Sequence, residues 1–296
     1  KNKVVWSDKV EWDLVPYVLM GDKLLLWAEK GCNRLCRYCS TSWTDKHERN
    51  TEENFERAKI YCEKNKKLLH LVQNEFDGDI TERVSFLSIT VRRYLQNWGL
   101  IRRGATVRIG IEFINENVRR KYIPGKFFTD EEFMELFHRA MNAKHNLRLF
   151  CITGVESAED WFNFFEELPE LDFKTSVLFK FTPITHVMFT PFFKKRFEVD
   201  FNNYIDRERH AEWYMRNLNR AWWRTVIGGV FEGVYRTAIQ LCENIEELRW
   251  LNKIKMSEMS EEKKVNEVID SDVYKRDYQR MVEFEWWSDE MKEMVY

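Results

Sequence analysis

The chain is 296 residues long, 44% hydrophobic and 32% charged, with only 11 glycines and 5 prolines, a core-forming composition that excludes collagen-like, low-complexity and disordered chains. Its 47 Lys and Arg nearly balance 49 Asp and Glu, leaving a formal charge of -2, so no global basic field draws it to nucleic acid or anionic lipid and any such binding has to be local. No apolar run reaches the length of a membrane span, and Lys1–Asp8 lacks the apolar core of a signal peptide, so a cytoplasmic protein without a membrane partner is expected.

Short apolar runs alternate with amphipathic helical stretches along the chain, the pattern of a parallel sheet with crossover helices. The first buried strand is expected at Leu24–Ala28, running into a loop at Gly31, followed by a helix at Thr51–Lys64 with Asn50 or Thr51 as its cap. A strand at Leu68–Val72, a helix at Glu82–Trp98 and a strand at Thr106–Phe113 follow. The helix Asp130–Lys144 is opened by Thr129 with Glu132 three residues on, a capping box. Then come a strand at Arg148–Ile152, a helix at Ala158–Leu168, a strand at Thr175–Phe181 and a helix at Arg207–Trp223. The expected fold is α/β, a partial (β/α) barrel of five to six parallel strands with a C-terminal helical extension. A further strand near Thr225–Ile227 is the candidate for the sixth. Residues 1–23 read as an N-terminal extension, 24–229 as the barrel domain and 230–296 as helices interrupted by a hydrophilic stretch near Met256–Lys264. In such folds ligands gather in the loops after the carboxyl ends of strands, which here are Cys32–Cys39, Asn74–Asp79, Glu112–Glu116, Gly154–Glu156 and Thr182–Phe192.

Six cysteines occur, three of them (Cys32, Cys36, Cys39) within eight residues and the others (Cys62, Cys151, Cys242) far apart, which is not a disulfide framework. Three thiolates at C-x3-C-x2-C spacing on one loop suit three corners of a cuboidal iron–sulfur cluster and leave the fourth open to a ligand. The bland alternative is a zinc site with Cys62 or His47 as fourth ligand, although structural zinc sites usually pair two knuckles and here there is one.

With this spacing, with Tyr38 directly before the last cysteine, and with the loop placed after the first strand of a repeated β/α pattern, the sequence resembles the radical S-adenosylmethionine (SAM) superfamily. Three further segments are similar to the branch that includes cobalamin-binding radical SAM enzymes. They are Gly110-Ile111-Glu112 with Arg119-Arg120 and Gly125-Lys126, Gly154-Val155-Glu156-Ser157 with Asp160, and Thr182-Pro183 with Phe189-Thr190-Pro191-Phe192. The resemblance covers roughly Leu24–Phe192. It implies a [4Fe-4S] cluster on Cys32, Cys36 and Cys39 whose open iron is chelated by the amino and carboxylate groups of SAM. An external donor of flavodoxin or ferredoxin type then supplies an electron, SAM is reductively cleaved to methionine and a 5′-deoxyadenosyl radical, and that radical takes hydrogen from an unidentified substrate. Tyr38 becomes an aromatic near the adenine. About thirty residues before Cys32 are too few for a cobalamin-binding domain of ordinary size, so cobalamin is not expected.

Asn74 and Glu75 supply acceptors suited to the ammonium of SAM, or belong to a solvated Asp77-Gly78 turn. Glu112, among apolar residues at a strand end, needs a partner. It is either a catalytic contact to the SAM ribose or to substrate, or one half of an ion pair with Arg108 or Arg119. Gly154 allows close backbone approach to a ligand, or is a plain turn glycine. His186 and His210 are weak proton-transfer candidates. From Arg92 to Lys121 eight basic residues face only Glu112 and Glu116, a local patch that with Trp98, Tyr122 and Trp222-Trp223-Arg224 suggests a nucleic-acid base or nucleotide as substrate. The reading from a different class is a non-catalytic zinc or Fe–S interaction module.

Overall fold

The computed structural model describes residues 18–39, 41–44, 46–72, 84–169, 175–184, 190–191, 223–227, 229–275 and 288–295. In chain order its elements are β1 (Val18–Met20), β2 (Lys23–Trp27), β3 (Glu29–Lys30), α1 (Thr41–Thr44), β4 (Glu48–Arg49), α2 (Glu52–Lys64), β5 (Leu68–Val72), β6 (Val84–Ser88), α3 (Val91–Asn97), β7 (Thr106–Glu112) and α4 (Glu116–Tyr122). There follow α5 (Asp130–Ala143), β8 (Asn146–Thr153), α6 (Ala158–Glu167), β9 (Val177–Pro183) and β10 (Trp223–Ile227). The C-terminal helices are α7 (Val230–Leu241), α8 (Ile245–Met256), α9 (Glu261–Ile269), α10 (Asp272–Lys275) and α11 (Asp289–Val295).

The main sheet has the order β1-β2-β5-β6-β7-β8-β9-β10. β1 is antiparallel to β2 and every other pairing is parallel. Parallel strands that neighbour each other in chain order wind in one direction, as in a barrel wall, without the reversal of a doubly wound sheet. Among the described residues the edges β1 and β10 do not pair, so the wall stays open and the fold is a partial β/α barrel. Among the described residues it has seven parallel strands, more than the five to six expected. The Thr225–Ile227 candidate is one of the two additions, as part of β10, and β6 is the other.

β6 occupies the first part of the expected helix Glu82–Trp98. Val84, Phe86, Leu87 and Ile89 satisfy strand and helix periods alike, a known ambiguity of short apolar runs. The break comes at Thr90, which caps α3 by accepting from the Arg93 backbone N–H at 3.3 Å. The expected helix at Arg207–Trp223 lies outside the described residues except for Trp223, which begins β10.

Capping fixes the other helix starts. Thr51, not Asn50, caps α2, while Asn50 ties the same turn back to β2 through the carbonyls of Trp27 and Ala28. Thr129 and Glu132 form the expected box on α5, and Ser157 with Asp160 forms another on α6. Each such cap contributes about 1 kcal/mol. The hydrophilic interruption in the tail is the turn between α8 and α9, where Ser260 caps α9.

Register divides the sheet into two faces. Odd-numbered residues of β7, β8 and β9, such as Val107, Ile109, Leu149, Phe179 and Phe181, are buried against helices. There Phe165 meets Phe179 at 4.9 Å and Trp161 meets Phe181 at 5.0 Å between ring centroids. Even-numbered residues of the same strands point to the concave face, and those near the strands' carboxyl ends line a cavity. Among the described residues no helix is long and apolar enough to cross a membrane.

Candidate functional site

The cysteine loop leaves the sheet after β2 and is enclosed by the small β3–β4 ladder. Gly31 and Leu35 take positive φ angles of 69° and 50°, letting the chain fold back tightly enough for Cys36 to be buried while Cys32 and Cys39 stay half-buried. Three contacts pin it. The indole of the fully buried Trp43 donates to the Cys36 carbonyl at 3.0 Å, the Cys39 N–H donates to the same carbonyl at 3.2 Å, and the Arg37 N–H donates to the Tyr122 carbonyl at 3.0 Å. The turn at Pro124–Lys126 lies flush against the loop, since a Cβ on Gly125 would stand 2.3 Å from the Arg34 carbonyl oxygen. Only glycine permits that approach. None of the six cysteines is in a disulfide.

At the carboxyl end of β7 the backbone turns sharply. Glu112 has φ 60°, rare for a residue with a side chain, and the Phe113 N–H donates to the Ile111 carbonyl at 2.7 Å across it. The pairing with β8 slips at the same point. This aims the carboxylate into the cavity, where Lys126 Nζ lies 2.6 Å from Glu112 Oε1, both side chains less than a tenth exposed. Gly110 makes room for the pair, because a Cβ there would stand 2.3 Å from Glu112 Oε1 and 2.5 Å from Lys126 Nζ. The partner of Glu112 is thus Lys126, and neither of the arginines expected. Arg119 is fully buried and caps carbonyls instead, donating to Phe128 at 3.0 Å and Phe113 at 3.3 Å, and pairs with Asp130. Arg108 lies against the rings of Phe150 and Phe86.

Cys32, Cys36, Cys39, Tyr38, Glu112 and Lys126 all line one cavity of about 360 Å³. Their electrostatics are coupled. Burial pushes the Cys36 thiol well above its ordinary pKa, the Lys126 ammonium pulls it down, and Cys39, Glu112 and Cys32 push it further up. The Tyr38 hydroxyl is held neutral first by burial and then by Glu112, toward whose carboxylate it donates. A ring expected as an aromatic near the adenine thus also meets Glu112.

Several residues that sequence reasoning did not single out as a site share the cavity, among them Cys151, Ser88 and Phe150. Strand alternation puts Ser88, Gly110, Phe150 and Thr182 on one face, but only the register between strands shows that they occupy three successive rungs of one wall, Ser88 beside Arg108, Gly110 beside Phe150 and Thr182 beside Ile152. Gly154 is not part of the lining. Its φ of 107° makes it a turn glycine, and the turn sets Glu156 to accept from the N–H groups of Ile114 at 3.0 Å and Asn115 at 2.6 Å. Burial raises the pKa of Glu156 to about 7 against those two hydrogen bonds. Asn74, Glu75, His186 and His210 lie outside the described residues.

The basic patch of Arg92–Lys121 is continuous in sequence and dispersed in space. Arg92 pairs with Glu132, Arg120 with Glu116, Arg119 is buried, Arg108 faces the concave side, and Arg102 and Arg103 are exposed elsewhere.

Soft thiolates suit an iron–sulfur cluster and zinc alike, and three of them on one loop lining one cavity are a donor set that either would use. The fourth ligands considered for zinc are engaged elsewhere: Cys62 is buried among the core residues of α2, and His47 Nε2 lies 3.7 Å from Glu29 Oε2.

No family model matches the chain, and no curated protein matches it. Among solved structures it is similar to the radical S-adenosylmethionine methyltransferase TsrM from Kitasatospora setae with tryptophan substrate and the SAM analogue aza-SAM bound, at 13% identity and a TM-score of 0.42 over 54% of this chain and 36% of that one. The same enzyme with cobalamin and a [4Fe-4S] cluster bound gives 12% identity and a TM-score of 0.40 over 54% and 34%. The cobalamin-dependent S-adenosylmethionine radical enzyme OxsB with aqua-cobalamin bound gives 13% and 0.39 over 82% and 46%. The chain spans less than half the length of each of these proteins. What the site can do chemically rests on the side chains around the cavity.

Proposed function

We propose that the chain is a radical SAM enzyme, with Cys32, Cys36 and Cys39 holding a [4Fe-4S] cluster at the mouth of the barrel and SAM bound beside it. The observation that carries this reading is the convergence on one cavity of three thiols from a pinned loop and a buried Lys126–Glu112 pair at the carboxyl edge of parallel strands. When bound, the cluster supplies the electron that splits the SAM sulfonium and so starts hydrogen abstraction from substrate.

The chain's own residues do the rest. The three thiolates would hold the cluster and leave it open to SAM. The Lys126 ammonium offsets part of their negative charge, as its downward pull on the Cys36 pKa indicates. Glu112 is held by Lys126, faces the Tyr38 hydroxyl, and accepts hydrogen bonds from SAM or substrate. Asn74 and Glu75 are assigned to the SAM ammonium, and a flavodoxin- or ferredoxin-type donor to the electron. The substrate and the bond made or broken stay open in this assignment, and with the Arg92–Lys121 patch dispersed, a nucleic-acid substrate has lost the feature that suggested it.

The test is anaerobic reconstitution with iron and sulfide. The reading predicts a brown protein with about four irons and four sulfides per chain and absorption near 400 nm, lost in Cys36→Ala. A colourless protein that takes up a single zinc would overturn it.

A further inference from the structure

In a closed β/α barrel the inward-facing positions are filled mainly by Val, Ile and Leu. Below the mouth of this cavity they carry cations and rings. Arg108 on β7 and Arg148 on β8 share one rung, and Lys180 on β9 stands beside Phe150 one rung higher on that face. The Arg108 guanidinium lies 4.9 Å from the Phe150 centroid and 5.5 Å from that of Phe86, Arg148 lies 5.7 Å from Phe86, and Lys180 lies 5.5 Å from Phe150. His70 on β5 stacks on Phe86 with centroids 4.2 Å apart and planes 18° from parallel.

For Arg148 and Lys180, contact with a ring fixes the cation without engaging its N–H donors. Both are exposed, and among the described residues neither has a carboxylate within ion-pair distance. The inward-facing carboxylate of the described strands, Glu112, is bound to Lys126 at the mouth. The positive field is felt locally. The half-buried His70 has its pKa lowered by burial and then by Lys23, Arg108 and Arg148, and its Nδ1 is buried without a hydrogen-bond partner. Like charges on adjacent strands repel, and a bound anion relieves the repulsion.

We infer that these two rungs of the concave face, with Arg148 and Lys180 as their principal donors, bind an oxyanion group, phosphate or dicarboxylate, at one end of the substrate. The inference rests on the reading that substrate reacts at the cysteine-lined mouth. At about 3.3 Å per residue of parallel strand, Arg148 lies about 13 Å below Ile152 and Lys180 about 7 Å below Thr182. The substrate is then an elongated molecule whose reacting carbon stands roughly 7–13 Å from its anionic end.

The experiment uses the full chain, anaerobically reconstituted, and calorimetric titration with phenyl phosphate and, separately, with phthalate, two aromatic dianions. At least one should bind at low salt and weaken as salt rises. Arg148→Gln and Lys180→Gln should each lower that affinity about tenfold or more, the size of a charge-assisted hydrogen bond, while Arg57→Gln on the outer face of α2 leaves it unchanged. Which dianion binds tells phosphate from carboxylate. Melting curves of the variants exclude misfolding, which two exposed side chains should not cause. Absence of binding by either dianion, or equal binding by wild type and both variants, overturns the inference. Cluster content and SAM cleavage measured on the same samples report separately on the radical SAM reading.

Discussion

Replacing Lys126 by Met keeps the length of the side chain and removes the cation 2.6 Å from Glu112. The buried carboxylate is then left with the Tyr38 hydroxyl and no cation at hydrogen-bonding distance. Breaking a buried pair from one side costs roughly 3–5 kcal/mol, so Lys126→Met should destabilise the chain by about that much at pH 7. Urea unfolding of the cluster-free chain measures this, and a slope near 3 kcal/mol per molar turns the loss into a midpoint shift of about 1–2 M. Adding Glu112→Gln to Lys126→Met should recover most of it. A loss below about 1 kcal/mol, the behaviour of an exposed pair, would refute the claim that this pair is buried.

Glu112→Gln alone should keep the cluster and lower SAM affinity or turnover about ten- to a hundredfold, the size of a charged hydrogen bond; unchanged deoxyadenosine formation beside a lowered melting temperature would leave Glu112 a purely structural role. Gly125→Ala places a Cβ 2.3 Å from the Arg34 carbonyl, so overpacking of about 1–3 kcal/mol should displace the cysteine loop and reduce iron per chain, and full iron content in the variant would contradict the packing. Because the pKa of Glu156 is raised from 4.5 to about 7, its contribution to stability is present below about pH 4.5 and lost as pH rises to about 7, by up to about 3 kcal/mol. Glu156→Gln should flatten that part of the stability–pH curve, and an unaltered slope between pH 5 and pH 7 would show that another group sets it.

Local signals carried much of this architecture. The capping box at Thr129, the strand before the cysteines and the alternation in β7, β8 and β9 are properties of neighbours in sequence, and they are visible without coordinates. The strand β6 was hidden because its apolar spacing suits a helix equally well. The site was legible where the chemistry is in the residue type, in Cys32, Cys36 and Cys39, and where a carboxylate sits among apolar residues, at Glu112. Its partner was not. Arg108 and Arg119 are nearer to Glu112 in sequence than Lys126 is, yet strand alternation and helix packing send them to rings and carbonyls, and the turn at Pro124–Lys126 brings the lysine back. The charge run at Arg92–Lys121 misled for the same reason, since helix, strand and loop point its members in different directions.

The central claim is that three thiolates from one loop turn this cavity into a site of SAM cleavage. The direct measurement is anaerobic incubation of the reconstituted chain with SAM and dithionite, with 5′-deoxyadenosine and methionine quantified alongside Cys32→Ala, Cys36→Ala, Cys39→Ala and the control Cys242→Ala. The account predicts both products from wild type and Cys242→Ala and neither from the other three. Deoxyadenosine from any of those three at the wild-type rate, or none from a wild-type protein that holds a full cluster, would contradict it.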